Sequence, residues 1–295
     1  MEKRKKRWGD RWDAYRLKGL DPMHTLFPFI YGGRTQNEAV LGEVMDLTEV
    51  DKYLEKKNAS NPDFKYTWFH FIVAALAKTV YLRPKMNYFI SGSHFYEHKN
   101  IDIAFIVKRR FADDDKEALA KFVLDREGGS PVEQVHSYLE KIVTHVRKKD
   151  SGDVGIDKSM NIISSIPTII LRWLIAYFKH MQRHGFYPKS LAQDDPCYSS
   201  VFVTNLGSIK MNADYHHLSE WGTNSFFVVV GEKKMRPFFK EDGSYELRNT
   251  IKLGLTLDER IADGYYYAKS LRLVRKIFEH PELLDLPASE PIEID

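Results

Sequence analysis

The chain has 295 residues, 43% of them hydrophobic and 29% charged, which are ordinary proportions for a folded globular protein. Its formal net charge of +3 is too small to indicate a nucleic-acid-binding protein, and its single cysteine, Cys197, excludes an internal disulfide. No spacing of cysteine and histidine is typical of zinc sites, and no signal peptide is recognisable. We therefore expect a cytoplasmic protein that folds around a large core without a metal.

The chain begins with a basic run, EKRKKRW at residues 2–8. Such a run is more often a solvated terminus than a contact with an anionic surface. We expect residues 1–24 to form a basic N-terminal extension, with a short helix within residues 1–20. We expect residues 25–295 to form a single catalytic domain with an apolar helical insert near 160–190.

Hydrophobic periodicity predicts the elements of the first half. The apolar helix that ends before Pro84 contains His70, which is more often a satisfied core histidine than a functional one. The predicted elements are a strand at 40–46, a helix at 47–57 with Thr48 near its N-cap, a helix at 67–83, a hairpin at 86–96 around Gly92, a strand at 101–108 and a helix at 131–148.

Residues 162–178, IISSIPTIILRWLIAYF, are too short and too interrupted to span a bilayer, which needs about 20 apolar residues. They predict a buried or partly buried helix starting near Pro167. A weak membrane contact is a minority interpretation, because the following KHMQRHG is basic and amphipathic. The two glycines at 151–157 make that stretch the best linker candidate.

The last third is rich in strand patterns. Helices mixed with strands and hairpins, without regular alternation, predict an α+β fold, a two-layer sandwich in which helices cover a mixed sheet. The predicted elements are strands at 200–204, 225–230 and 250–257, a hairpin at 232–246 around Asp242 and Gly243, and a helix from Ala262 to near Pro281.

Three stretches resemble one family in the right order: SSVFVTNLGSIKMN (199–212), TNSFFVVVGEKKMRP (223–237) and LGLTLDERIADGYYYAKSL (253–271). They are similar to the catalytic domain of the 2-oxo acid dehydrogenase acyltransferases, which shares its fold with chloramphenicol acetyltransferase. Residues 83–107 match more loosely. The resemblance implies the CoA-dependent acyltransferase fold, and the absence of an upstream lipoyl domain suggests a stand-alone member.

The resemblance also implies a site. The family's catalytic histidine falls on Glu259 and its oxyanion-binding hydroxyl on Thr204, while Asp263 falls on an aspartate that forms a structural ion pair. Residues of the TNLGS turn would contact coenzyme A, which the resemblance implies as a substrate, and no metal is expected. The implied assembly is a homotrimer with each active site formed between two neighbouring subunits. The implied second substrate is a small-molecule acceptor. The turn residues assigned to coenzyme A are Asn205, Gly207 and Ser208.

Glu259 departs from the family's pattern in a chemically costly way. Moving a proton from a thiol to an ordinary glutamate is uphill by roughly 5.7 kcal/mol, against about 2.7 kcal/mol for a histidine. Glu259 would therefore need a pocket that raises its pKa. His216 and His217, in the loop after the Thr204 strand, are the alternative bases. Three functions remain open. The first is an acyltransferase between CoA and a small acceptor, and the second is an inactive relative that serves as a binding or scaffold module. The third is a protein that docks on a membrane through the basic N-terminus and residues 160–184 and acts on lipid-linked acyl groups.

Overall fold

The computed structural model describes residues 5–108, 117–148, 166–193 and 195–294, so the predicted linker at 151–157 lies outside the described residues. A six-stranded mixed sheet forms the centre of the fold, in the order β2-β9-β8-β7-β5-β6. Its strands are β2 (Glu38–Asp46), β5 (Asp102–Lys108), β6 (Glu117–Val123), β7 (Val201–Asn205), β8 (Phe226–Phe239) and β9 (Tyr245–Asp258).

A smaller sheet of three strands, in the order β1-β4-β3, lies beside the main one. It consists of β1 (Ala14–Arg16), β3 (Tyr88–Ser91) and β4 (His94–His98). The helices are α1 (Pro22–Ile30), α2 (Thr48–Lys57), α3 (Trp68–Leu82), α4 (Pro131–Lys148), α5 (Thr168–Arg183), α6 (Lys189–Ala192) and α7 (Gly264–Glu279).

Strand direction in the main sheet follows the lengths of the connections. β8 and β9 are antiparallel and joined by a tight hairpin in which Phe239 pairs with Tyr245. β5, β7 and β8 are mutually parallel, and long crossover segments connect them. The first half of β8, FFVVVG, is buried throughout because it is central in the sheet, whereas its second half alternates where the hairpin projects.

The main core lies between one face of this sheet and the helical layer, and α3 is its centre. Every residue from His70 to Val80 in that helix is buried. The fully buried Lys78 donates hydrogen bonds from Nζ to the backbone oxygens of Leu283 at 2.7 Å and Pro287 at 3.0 Å. These bonds satisfy the buried ammonium group and fix the C-terminal segment onto α3.

The predicted two-layer α+β fold is confirmed, and most predicted elements match within two residues. The short helix expected before residue 20 is wrong, because Ala14–Arg16 is a strand paired with β4. The helix expected to start near Pro167 begins at Thr168, and of the two expected alternatives it is partly buried rather than buried, since Trp173 on its outer face is 73% exposed. Two elements were not predicted from the periodicity of the sequence. They are helix α1, which has no buried side chain, and the edge strand β6. The division of the chain at residue 24 stays a prediction.

Candidate active site

Thr204 occupies the face of β7 that points away from the main core. Val201 and Val203 are fully buried on the core side, so the alternation of the strand places Phe202 and Thr204 on the other side. There the Phe202 ring stacks on Phe227 with 4.9 Å between centroids. Thr204 itself is half-buried and lies one residue before the strand ends at Asn205.

Two cavities meet at Thr204. The first, of about 330 Å³, lies against α3 and α4 and is here termed the helix-side cavity. The second, of about 310 Å³, lies under the loop at 211–224 and is termed the loop-side cavity. Thr204 and Ile106 line both. The hydroxyl-bearing residue therefore stands between two spaces, each large enough for part of a small ligand.

The turn after Thr204 explains the TNLGS pattern. Asn205 accepts a hydrogen bond from the Ser208 backbone at 3.2 Å, and the Ser208 hydroxyl donates to the Asn205 backbone oxygen at 2.7 Å. Gly207 is required by packing, because a Cβ there would lie 2.3 Å from the backbone oxygen of Gly231. Asn205 and Ser208 line the helix-side cavity, whereas Gly207 shapes the turn.

His70 also lines the helix-side cavity, which the sequence did not predict. The Thr67 backbone N–H donates to His70 Nδ1 at 3.1 Å, so the proton of the neutral ring lies on Nε2. Burial lowers the pKa of His70 to about 4, which keeps the ring neutral at physiological pH. Within the described part of the chain, the buried Nε2–H has no hydrogen-bond partner. Among the described residues, only one of the two ring nitrogens of His70 therefore has a hydrogen-bond partner.

His216 and His217 lie in the loop-side cavity together with Thr204, as the alternative assignment of the base requires. The His216 ring is exposed on its outer side and stacks on Phe227 with 4.2 Å between centroids and 5° between planes. Its Nδ1 lies 2.8 Å from the backbone oxygen of His217, which can only accept, so Nδ1 donates. In the neutral ring Nε2 is then the basic atom.

Two sets of hydrogen bonds hold the loop at 211–224, which contains His216 and His217, against the start of β2. Buried Arg34 donates to the backbone oxygen of Ser219 at 2.9 Å and to that of Gly222 at 3.3 Å. Glu38 accepts a hydrogen bond from the Leu218 backbone at 2.5 Å. Gly222 has φ +84°, and a Cβ there would meet the backbone oxygen of Cys197 at 2.2 Å. The position of His216 and His217 is therefore set by a braced loop.

Cys197 lies in the wall of the loop-side cavity. Burial, with the nearby Asp195 carboxylate, raises the pKa of its thiol to about 11. At neutral pH the group is a protonated thiol and a poor nucleophile. We therefore assign it no chemical role.

Glu259 is exposed at the end of β9, where its backbone N–H donates to Asn37 at 2.9 Å. The residues on either side of Glu259 form an ion pair with each other. The Asp258 carboxylate accepts two hydrogen bonds from the Arg260 guanidinium, at 2.8 and 2.7 Å. Arg260 also donates to the Gly32 backbone oxygen. The middle residue of the DER motif is thereby turned outward, away from both partners.

Thr204 and Glu259 lie far apart within one subunit. Thr204 pairs with Val229, and Val229 pairs with Gly254, five residues before Glu259. Five residues of extended chain span about 17 Å. The two predicted catalytic groups do not meet within one subunit, so their encounter would need a neighbouring copy.

Asp263 begins helix α7 as its N-cap. Its carboxylate accepts a hydrogen bond from the Tyr266 backbone at 2.7 Å, which satisfies a free donor of the first turn. Among the residues that the structure describes, Asp263 has no ion pair, and Asp258 pairs with Arg260. The structural ion pair expected at Asp263 stays a prediction.

These features define an α+β protein of the CoA-dependent acyltransferase architecture. Residues 186–286 match the family model described as 2-oxoacid dehydrogenases acyltransferase (catalytic domain), which confirms the resemblance of the last third. A search of curated proteins gave no match.

Solved structures share the fold. A probable dihydrolipoamide acetyltransferase from Listeria monocytogenes 4b F2365 is 15% identical, with a TM-score of 0.57 over 90% of this chain and 94% of that chain. A truncated catalytic core of the 2-oxoacid dehydrogenase multienzyme complex from Thermoplasma acidophilum is 17% identical, with a TM-score of 0.53 over 90% and 99%. A chloramphenicol acetyltransferase is 11% identical, with a TM-score of 0.53 over 90% and 99%.

No described helix is both long and apolar enough to cross a membrane. Over the same residues, no group of three or more histidine, cysteine, aspartate or glutamate side chains is placed to hold a metal ion.

Proposed function

We propose that this protein transfers an acyl group between coenzyme A and a small acceptor, at a site centred on Thr204 in a homotrimer. The observation that carries the proposal is that Thr204 lines two separate cavities at once. An acyl transfer needs such an arrangement, because thioester and acceptor must approach one carbonyl carbon from different directions.

The helix-side cavity suits the thioester arm. Its walls are mostly apolar and come from α3, α4 and the turn after β7. Asn205 and Ser208 line it, and the His70 Nε2–H in its wall has no hydrogen-bond partner among the described residues. A predominantly apolar cleft with a few polar groups fits a pantetheine chain, which alternates methylene and amide groups.

The loop-side cavity suits the acceptor, and His216 is the proposed base. Its Nε2 takes the proton of the acceptor hydroxyl, amine or thiol, and the resulting nucleophile attacks the thioester carbonyl. The Thr204 hydroxyl donates a hydrogen bond to the oxyanion, an interaction worth on the order of 3 kcal/mol in a preorganised site. The carbon–sulfur bond then breaks, and the imidazolium returns the proton to the CoA thiolate.

Glu259 supports the second candidate function, a non-catalytic binding module. Its side chain is exposed in the single chain and lines neither of the two cavities at Thr204. Under this alternative the cavities at Thr204 bind a ligand without turnover. His216 then has no chemical task.

The deciding experiment uses the purified full chain. Light scattering measures its mass against multiples of 34.5 kDa. Calorimetry measures CoA binding, and release of free thiol from acetyl-CoA is followed across a panel of hydroxyl, amine and thiol acceptors. Thiol release that depends on Thr204 supports the transferase. CoA binding without turnover supports the binding module, and absence of both sinks the proposal.

A further inference from the structure

The outer face of helix α5 is exposed along its whole length. Its inner row contacts the rest of the protein, but Gln182 is the only residue of the helix that is buried. Ile169 is 69% exposed and Trp173 is 73% exposed. Exposed apolar side chains this large and this close together usually mark a surface that contacts something else.

The outer face divides into two parallel rows. At 100° per residue, Arg172, Lys179 and Arg183 fall on one line along the helix. The adjacent line carries large exposed apolar and aromatic side chains. No acidic residue occurs between positions 167 and 193. The residues of the apolar row are Ile169, Ile170, Trp173 and Tyr177.

A second basic segment lies at the C-terminal end of the same helix. Arg11 donates to the Gln182 backbone oxygen at 3.1 Å, and a Cβ on Gly185 would lie 3.0 Å from the Arg11 side chain. Trp8, three residues earlier and therefore within about 11 Å of Arg11, is 89% exposed. The exposed residues 5–7, Lys-Lys-Arg, precede it. The basic N-terminus therefore lies near the C-terminal end of α5.

We propose that this docking surface, made of the outer face of α5 and residues 5–8, binds anionic phospholipid bilayers peripherally. Trp and Tyr side chains prefer the headgroup boundary, and a row of cations beside an apolar row matches anionic headgroups over acyl chains. The helix lies in the interface and does not cross the bilayer. A second copy is a poorer partner for this surface, because self-association would bring like charges together.

The test measures co-sedimentation of the full chain with vesicles of phosphatidylcholine alone or mixed with phosphatidylserine. Each Lys or Arg near an anionic surface contributes about fivefold to partitioning. The combined change Arg172→Gln, Lys179→Gln, Arg183→Gln therefore lowers binding on the order of 100-fold. The matched control, Lys52→Gln, Lys56→Gln, Lys240→Gln, changes net charge equally at exposed positions elsewhere and keeps binding. Trp173→Ser tests the apolar row separately.

Support requires binding to anionic vesicles that weakens with added salt, falls in the α5 triple variant and in Trp173→Ser, and survives in the control. The proposal is overturned if wild-type protein does not sediment with anionic vesicles, or if both triple variants bind equally. Self-association that depends on Trp173, without vesicle binding, would also overturn it and assign the surface to contacts between copies. None of these readouts depends on acyl transfer, so the docking surface and the proposed activity can fail separately.

Discussion

The carboxylate of Asp258 holds the guanidinium of Arg260 through two hydrogen bonds, and both side chains are buried, at 0% and 7% exposure. Glu259 lies between them, at the position where the acyltransferases that this chain resembles carry a histidine. The pair fixes the backbone on both sides of Glu259, so the outward direction of its side chain is a built-in property of the motif.

Removing one member of this pair should destabilise the protein. We expect Asp258→Asn to lower the free energy of unfolding by about 3 to 5 kcal/mol, because a buried guanidinium would lose its counter-charge. Urea denaturation at one fixed protein concentration measures it. Glu246→Gln is the control, since that carboxylate pairs with Lys240 and Arg248 at the exposed hairpin tip and should change stability by less than about 1 kcal/mol. Equal losses in both variants would contradict the assignment.

Thr204→Ala should lower kcat about 100-fold or more with little change in KM for acetyl-CoA, because the hydroxyl acts on the oxyanion of the transition state. Thr204→Ser restores the donor without the methyl group and should keep most of the activity. Steady-state kinetics of thiol release distinguish the two. If Thr204→Ser is as impaired as Thr204→Ala, the side chain acts through packing in β7.

His216 and Glu259 make opposite predictions about the base. If His216 is the base, His216→Asn lowers kcat by a factor of about 100 to 10,000, and Glu259→Gln has little effect. Loss of activity only in Glu259→Gln would instead assign proton transfer to a glutamate that a neighbouring subunit buries. Because His216 is exposed on the outer side of its stack with Phe227, the substitution should leave the fold intact, which circular dichroism checks.

His70 should make the protein sensitive to acid. Its pKa in the folded chain is about 4, below the ordinary value of 6.5, so the unfolded state binds a proton first as pH falls. Stability is therefore unaffected by His70 above pH 6.5 and declines between about pH 6.5 and 4, by on the order of 3 kcal/mol.

The control for this effect is His70→Gln, which keeps a hydrogen-bond acceptor for Thr67 but does not titrate. The difference between the two unfolding profiles isolates His70. This matters because burial raises the pKa of Asp102 to about 6, which acts with the opposite sign in the same range. Parallel profiles for wild type and variant would show that His70 is not held neutral by the fold.

The sequence was sufficient for the elements that alternate or repeat strongly. β9 and α3 were predicted because one has a period of two and the other is apolar on every side. Helix α1 was missed because it is short, contains Pro28 in its interior and buries none of its residues against the core. Strand β6 was missed because its EALAKFV sequence contains residues that favour helices.

The site was only partly predictable for a different reason. Thr204 was predicted from the order of motifs along the chain, and His216 and His217 from their place in the loop after its strand. The structure places all three around one cavity, and their roles stay predictions. His70 was passed over because a histidine in an apolar helix gives no sign of whether both ring nitrogens are bonded. That property depends on residues distant in the chain, which only the packing reveals.

The raised pKa of the Cys197 thiol has a practical consequence for experiments on the exposed side of α5. Since the chain has one thiol and it stays protonated at neutral pH, maleimide reagents should label it slowly. In a Tyr177→Cys variant, altered on the exposed side of α5, nearly all of the fluorophore would then attach at position 177 and little at Cys197. Its emission would report directly whether that side of the helix leaves water when lipid is added.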